Sequence, residues 1–273
     1  MKKLQTLLAA ALCGAIFSAA ISASAQTSGY ATVIRTAGIA SYSLGDNVWH
    51  PLVAGKQLPA GAIVRTGDNG VVDIVMGKAV AWPQAAGMPD RISPASDSPV
   101  RGMVGYKPSV EQNAIRLTSN TTLGIDKLTV TDTGADTVSD TELNLKEGKI
   151  FASVKKISGA SQYLIKLPNG IAGVRGTLFS ISADGTVAVL ESKGGGVVLS
   201  LVSPDGSTKT YLVGEGQLFD PASGQPVVIP HDLMKLLKPV FDVIRTPFYV
   251  MVSYSPDRTQ IYVSPTLGGP GKH

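Results

Sequence analysis

The stretch Asn169–Ile181, NGIAGVRGTLFSI, decides how this chain is read. An arginine and three glycines interrupt text that otherwise suits a β-strand. In a plain strand successive side chains alternate between faces, so Val174 and Phe179, five residues apart, would point opposite ways. One unpaired residue at Arg175-Gly176, a β-bulge, restores agreement: Val174, Phe179 and Ile181 then share one face, and Ser180 and Ser182 the other. Gly176 tolerates the backbone geometry a bulge needs. Arg175 has two readings. Its head satisfies carbonyls at the irregularity or pairs with Glu191 or Asp184, which is the leading reading, or it receives an anion or carboxylate. Val174, Arg175, Gly176, Thr177 and Phe179 are therefore taken as one structural motif.

The text on either side has the same character. From Tyr30 to Gly77 apolar bursts of three to five residues, rich in Val and Ile, alternate with glycine turns. That length suits strands and is too short for helices. Asp68-Asn69-Gly70 is the strongest hairpin signal, because Asn-Gly tolerates positive φ. After residue 112 the bursts resume and continue to Phe219. Leu143 and Leu145 alternate with Asn144 and Lys146, as in a half-buried strand. Tyr163, Ile165 and Leu167 share a parity, and Leu164 on the other suggests a strand covered on both faces. LVAGKQLPAG (52–61) is echoed by LVGEGQLFDPASG (212–224) and more loosely by LKEGKIFASV (145–154), as in a coiled or rolled sheet. The fold class expected is mainly β: a short β-roll or a solenoid-like or sandwich sheet.

Three segments depart from this text. Residues 1–25 carry Lys2 and Lys3, a run of small apolar residues, and the A-x-A pattern Ala23-Ser24-Ala25, which reads as a signal peptide cut before Gln26. A periplasmic or secreted location follows. Cys13, the only cysteine, follows Leu12 where a lipidation site wants a small residue, so the mature chain has no thiol and no disulfide. Residues 78–112 hold Pro83, Pro89, Pro94, Pro99 and Pro108, and read as a long surface excursion. In the 221–273 extension, Leu233, Leu236, Leu237, Val240, Phe241 and Ile244 form one apolar stripe and predict an amphipathic helix over 232–245. Pro239 should bend or split it. A β-hairpin around Pro256-Asp257 follows.

Composition narrows the chemistry. The net charge of +4 falls to +2 once Lys2 and Lys3 are removed, and the basic residues are scattered, which speaks against nucleic acid. No second long apolar segment predicts a membrane span. His50, His231 and His273 are far apart, with no metal-ligand spacing, and neither a nucleophile elbow nor a phosphate loop is present. No cofactor, metal or catalytic residue is assigned. Asp132-Thr133-Gly134 resembles the active-site segment of retroviral-type aspartic proteases, whose chemistry needs two carboxylates sharing a proton. No second copy exists, so a homodimer would be required; the alternative is a polar turn between strands. Asp126, Asp132, Asp136 and Asp140 raise the question of calcium on the 132–140 turn, at a spacing unlike an EF-hand. Trp49, Trp82 and Tyr106, with Arg175, are the candidate binding residues.

The succession of GKQLPAGAIVRTGDNGVVDIVMG, IRLTSNTTLGIDKL, LNLKEGKIFASV and YLIKLPNGIAGVRGTLFSI resembles the domain of FecR-like proteins. The marks are Gly61, Arg65-Thr66-Gly67, Gly148 and Val174-Arg175-Gly176-Thr177 followed by Phe179. The resemblance runs roughly from Gly29 to Val202, within an all-β domain over 29–220, with 78–112 as an insertion. The best-known members are envelope regulators of iron-transport genes with a cytoplasmic anti-sigma segment and a membrane helix. A cleavable signal stands in their place here. The resemblance implies an exported, non-enzymatic β module for protein interaction or scaffolding in the envelope, with no catalytic residues to carry over. A soluble glycan- or peptide-binding module is the alternative. The exported protein is expected to begin at Gln26 without lipid; intact-mass measurement checks this, and a retained Met1 or a lipid on Cys13 would contradict it.

Overall fold

The computed structural model describes residues 26–78, 100–106, 113–134, 136–155, 158–245, 248–255 and 258–266, with the backbone alone for 100–106 and for the last two segments. Residues 1–25 and most of the proline-rich stretch, Trp82 included, lie outside the described residues. The described residues are mainly β, as expected: a large sheet curled into a half-barrel, a separate three-stranded sheet and one helix.

Most neighbouring strands are antiparallel, but Thr137–Glu147 and Gln162–Leu167 run parallel. The strand between them in sequence, Lys149–Ser153, leaves this neighbourhood and pairs with both Asn113–Leu117 and the second half of Gly170–Ser182. That excursion curls the sheet. The concave side holds the main core, which includes Leu58, Ile74, Leu117, Leu143, Tyr163, Phe179 and Phe219. A second, smaller core lies on the other side, where Phe151, Leu178 and Ala188 meet Leu237, Phe241 and Ile244 of the helix His231–Arg245. Phe151 and Phe241 pack edge to face at 5.2 Å.

The glycine turns stack at one corner. Thr66 accepts a hydrogen bond from the Thr121 N–H at 2.9 Å and donates to the Thr118 carbonyl at 2.6 Å. Thr118 and Thr121 donate in turn to the Lys149 carbonyl at 2.9 and 3.2 Å. Gly148 sits here at φ +79°, and a Cβ would collide with the Thr121 hydroxyl and the Asn120 carbonyl, so only glycine fits. The Arg65-Thr66-Gly67 and Gly148 marks are thus parts of one hydrogen-bonded corner. The sequence echo has a partial counterpart. Leu58 pairs opposite Ala31 and Phe219 opposite Val187, each returning on an earlier strand and fully buried. LKEGKIFASV instead opens a central strand.

Three expectations need correction. Val100–Tyr106, inside the supposed surface excursion, is a strand, and it pairs with Phe248–Ser255 of the expected C-terminal hairpin. The prolines flank this seven-residue window without entering it, and Val100, Met103, Val104 and Tyr106 suit a strand. The helix runs unbroken through Pro239. Burial of Leu237, Phe241 and Ile244 holds it, and the carbonyl freed by the proline belongs to exposed Lys235, within reach of water. Leu164 is only half-buried on the outer face, so its strand is covered on one side.

A buried ion-pair triad was not anticipated. Arg35, Asp73 and Arg116 stand opposite one another on three adjacent strands. Arg116 grips Asp73 in a bidentate pair at 2.7 and 2.9 Å, and Arg35 bonds the same carboxylate. Asp73 is wholly buried, and desolvation lowers the Arg35 pKa, opposed by the attraction of Asp73. Breaking a buried pair leaves an uncompensated charge. Asp73→Asn, which leaves two buried arginines facing each other, is expected to cost about 3–5 kcal/mol. Arg116→Met, which keeps one arginine per carboxylate, is expected to cost less. Reversible urea unfolding of both variants checks the order.

Candidate functional site

The strand Gly170–Ser182 carries the bulge. Arg175 pairs opposite Gly196 and Thr177 opposite Ser192, leaving Gly176 unpaired on one strand and Lys193-Gly194-Gly195 on the other. Gly176 has φ +60°, Gly195 +106° and Gly196 +97°. The shift flips the parity of everything downstream. Ala172 and Val174 before the bulge, and Phe179 and Ile181 after it, all enter the main core. Leu178 turns outward, under the helix.

Thr177, not Arg175, satisfies the carbonyls at the irregularity. Its hydroxyl donates toward the Arg175 carbonyl at 3.0 Å and the Gly196 carbonyl at 3.2 Å. A short side chain beside the bulge reaches these atoms, whereas the Arg175 head projects away and is exposed. Among the described residues Arg175 forms an ion pair with neither Asp184 nor Glu191, and Asp184 instead caps its own turn by accepting from the Thr186 N–H at 2.8 Å. The arginine stem passes against Gly194, where a Cβ would collide with the Arg175 carbonyl. Its head lies near Gly159, where a Cβ would stand 3.5 Å from Nη2.

A surface cavity of about 330 Å³ opens beside Arg175, lined also by Tyr163, Leu164, Gly173, Val198 and the glycines 194–196. Leu164, Gly173, Val198 and Leu212 form one cross-strand row on the outer face. Leu212 is 60% exposed and Val198 47%. Tyr163 turns its ring into the main core, and burial pushes its hydroxyl pKa up.

The other sequence candidates fall elsewhere. Trp49 is partly exposed, and the Arg65 guanidinium lies over its ring at 4.4 Å. The Tyr106 side chain and Trp82 lie outside the described residues. His50 stacks against Tyr42 at 5.4 Å, as an edge residue would. Asp132-Thr133-Gly134 is an exposed hairpin turn closed by Thr133 and Asp136. Lys78 bonds Asp132 at 3.0 Å and, with the Gly134 N–H, lowers its pKa. A proton-sharing dyad raises one carboxyl instead. Asp126 is paired with Lys166, and Asp140 with Lys127. Among the described residues no three His, Asp or Glu gather to hold a metal.

Fold and site together define a curled β module whose recurrent motif residues shape turns and a bulge. Residues 109–197 match the family model described as FecR protein, so this part of the chain is a FecR-like domain. No curated protein and no solved structure matches the chain. Among the described residues no helix is long and apolar enough to cross a membrane.

Phe179→Ala is expected to cost about 3–5 kcal/mol, because the ring is fully buried. Thr177→Val should cost about 1–3 kcal/mol by orphaning the bulge carbonyls. Arg175→Ala should unfold within about 0.5 kcal/mol of wild type, because its head is exposed. Urea titration of the three checks this ranking.

Proposed function

We propose that the chain is a non-enzymatic FecR-like β module, exported to the periplasm or beyond, that works by binding another protein of the cell envelope. The observation that carries this reading is the apolar row Leu164–Gly173–Val198–Leu212 on the outer face, which the helix does not cover. Val202, on the same strand as Val198, adds a further half-exposed side chain. Contiguous exposed apolar surface of this kind marks protein contact sites. The FecR match supports the reading as a relationship of fold and family. The signal-like sequence at residues 1–25 supports export. Glycan binding through Trp49 is the weaker alternative, because Arg65 already occupies one face of that ring.

A photo-crosslinking residue placed at Val198 or Leu212 in cells is expected to trap the same discrete partner. One placed at Lys235, exposed on the helix, should trap none. Identical patterns at all three positions, or no crosslink at 198 and 212, would remove the support for a contact site on this face.

A further inference from the structure

Most glycines near the bulge are required by the backbone. Gly176, Gly195 and Gly196 have positive φ, and a Cβ on Gly194 or Gly196 would strike a main-chain carbonyl. Gly173 is different. It lies mid-strand without a positive φ, and a Cβ there would meet Leu164 Cδ2 at 3.8 Å and the Val198 carbonyl at 3.9 Å, both ordinary contacts. The fold does not need glycine at this position. Glycine weakens a strand interior and often marks a place where a ligand or another backbone comes close. Here its missing side chain makes the gap in the row between Leu164 and Val198, and that gap lies in the cavity beside Arg175.

Arg175 is the second, independent observation. It stands two residues along the same strand, on the same face, and is the only charged residue among those lining the cavity. No hydrogen bond or ion pair occupies its guanidinium among the described residues. Gly194 leaves room for its stem, and the exposed cation stands at one edge of an apolar depression. A planar guanidinium takes a carboxylate through two parallel hydrogen bonds. At about 330 Å³ the cavity is at the small end of ligand sites, which run about 300–1,000 Å³.

We infer that this depression binds the C-terminal residue of a partner protein. An aliphatic last side chain fills the gap over Gly173 between Leu164 and Val198, and the terminal carboxylate pairs with Arg175. This rests on the protein-binding reading above and adds to it the chemistry of the partner's end.

The test is calorimetric titration of the purified chain with acetyl-Ala-Ala-Val-Leu carrying a free carboxylate, beside the same peptide as its C-terminal amide and beside octanoate. The acid is expected to bind at least about tenfold more tightly than the amide, the order of one charge-assisted pair. Arg175→Met should abolish that difference. Gly173→Val should abolish binding of the acid, while Gly173→Ala, which fills less of the gap, weakens it. Thermal melting of each variant establishes that it is folded, and if Gly173→Val fails to fold, Arg175→Met decides. Equal binding of acid and amide, an unchanged preference in Arg175→Met, or binding of octanoate in place of the peptide overturns the assignment. If the peptide acid fails to bind while crosslinks at Leu212 persist, the terminal-carboxylate site is wrong and the protein-binding reading stands. Loss of both overturns both.

Discussion

One unpaired residue, Gly176, sets the terms on which the rest of this sheet packs. A thirteen-residue strand without it would send Val174 and Phe179 to opposite faces, and one of two cores would lose its filling. With it, the first half of the strand gives Ala172 and Val174 to the concave core and leaves Ile171, Gly173 and Arg175 outward. The second half gives Phe179 and Ile181 to the same core and Leu178 to the layer beneath the helix. The cost is an irregular patch of backbone. Thr177 offsets part of it by donating to two carbonyls, and the facing Gly195 and Gly196 offset more by adopting positive φ, which other residues rarely reach. The long strand can therefore carry an open outer face at one end and a covered one at the other.

Polar groups elsewhere in the structure are disposed of in two distinct ways. Inside the sheet two clusters close on themselves, while the hydroxyls of Thr32, Thr141 and Tyr163 are buried without a partner among the described residues. The Arg35–Asp73–Arg116 triad and the threonine corner around Thr66, Thr118 and Thr121 leave their buried charges and turn amides partnered, as the low local dielectric demands. On the surface, three of the four acids raised as a possible ligand set are matched to lysines, Asp126 to Lys166, Asp132 to Lys78 and Asp140 to Lys127. Exposed pairs of this kind add little stability, but they account for the acidic text as a solvated face. Arg175 belongs to neither class. It is an exposed cation beside an apolar depression, with no ion pair among the described residues.

Glycine recurs in this chain for opposite reasons. At Gly148 a Cβ has no room, and at Gly176 the backbone takes a positive φ that side chains rarely adopt. At Gly173 there is room for a Cβ, and its absence leaves the gap between Leu164 and Val198. The distinction lies in what surrounds each missing Cβ. It turns a run of similar letters into several structural requirements and one candidate site.

Period and punctuation in the sequence carried much of the fold: short Val- and Ile-rich bursts, glycine turns, one apolar stripe at helical spacing, and the five-residue gap between Val174 and Phe179 that demands a bulge. These are local properties, fixed by side-chain alternation and backbone sterics. The Arg35 and Arg116 partners of Asp73 were less accessible. A charge inside each of VIRT, VVDIV and AIRL hints that something must neutralise it, but the match depends on strands that become neighbours only when the sheet closes. The strand at Val100–Tyr106 was hidden because proline density around it outweighed a clean seven-residue window. The row Leu164–Gly173–Val198–Leu212 draws on three separate stretches, and no local pattern joins them. The sequence by itself determined a β-rich chain with a bulge at Gly176 and a helix near its end, because those follow from forces acting between near neighbours. Tertiary structure alone decided which charges are buried together, that Arg175 has no ion pair among the described residues, and that Gly173 opens a cavity, because each depends on cross-strand register between residues far apart in the chain.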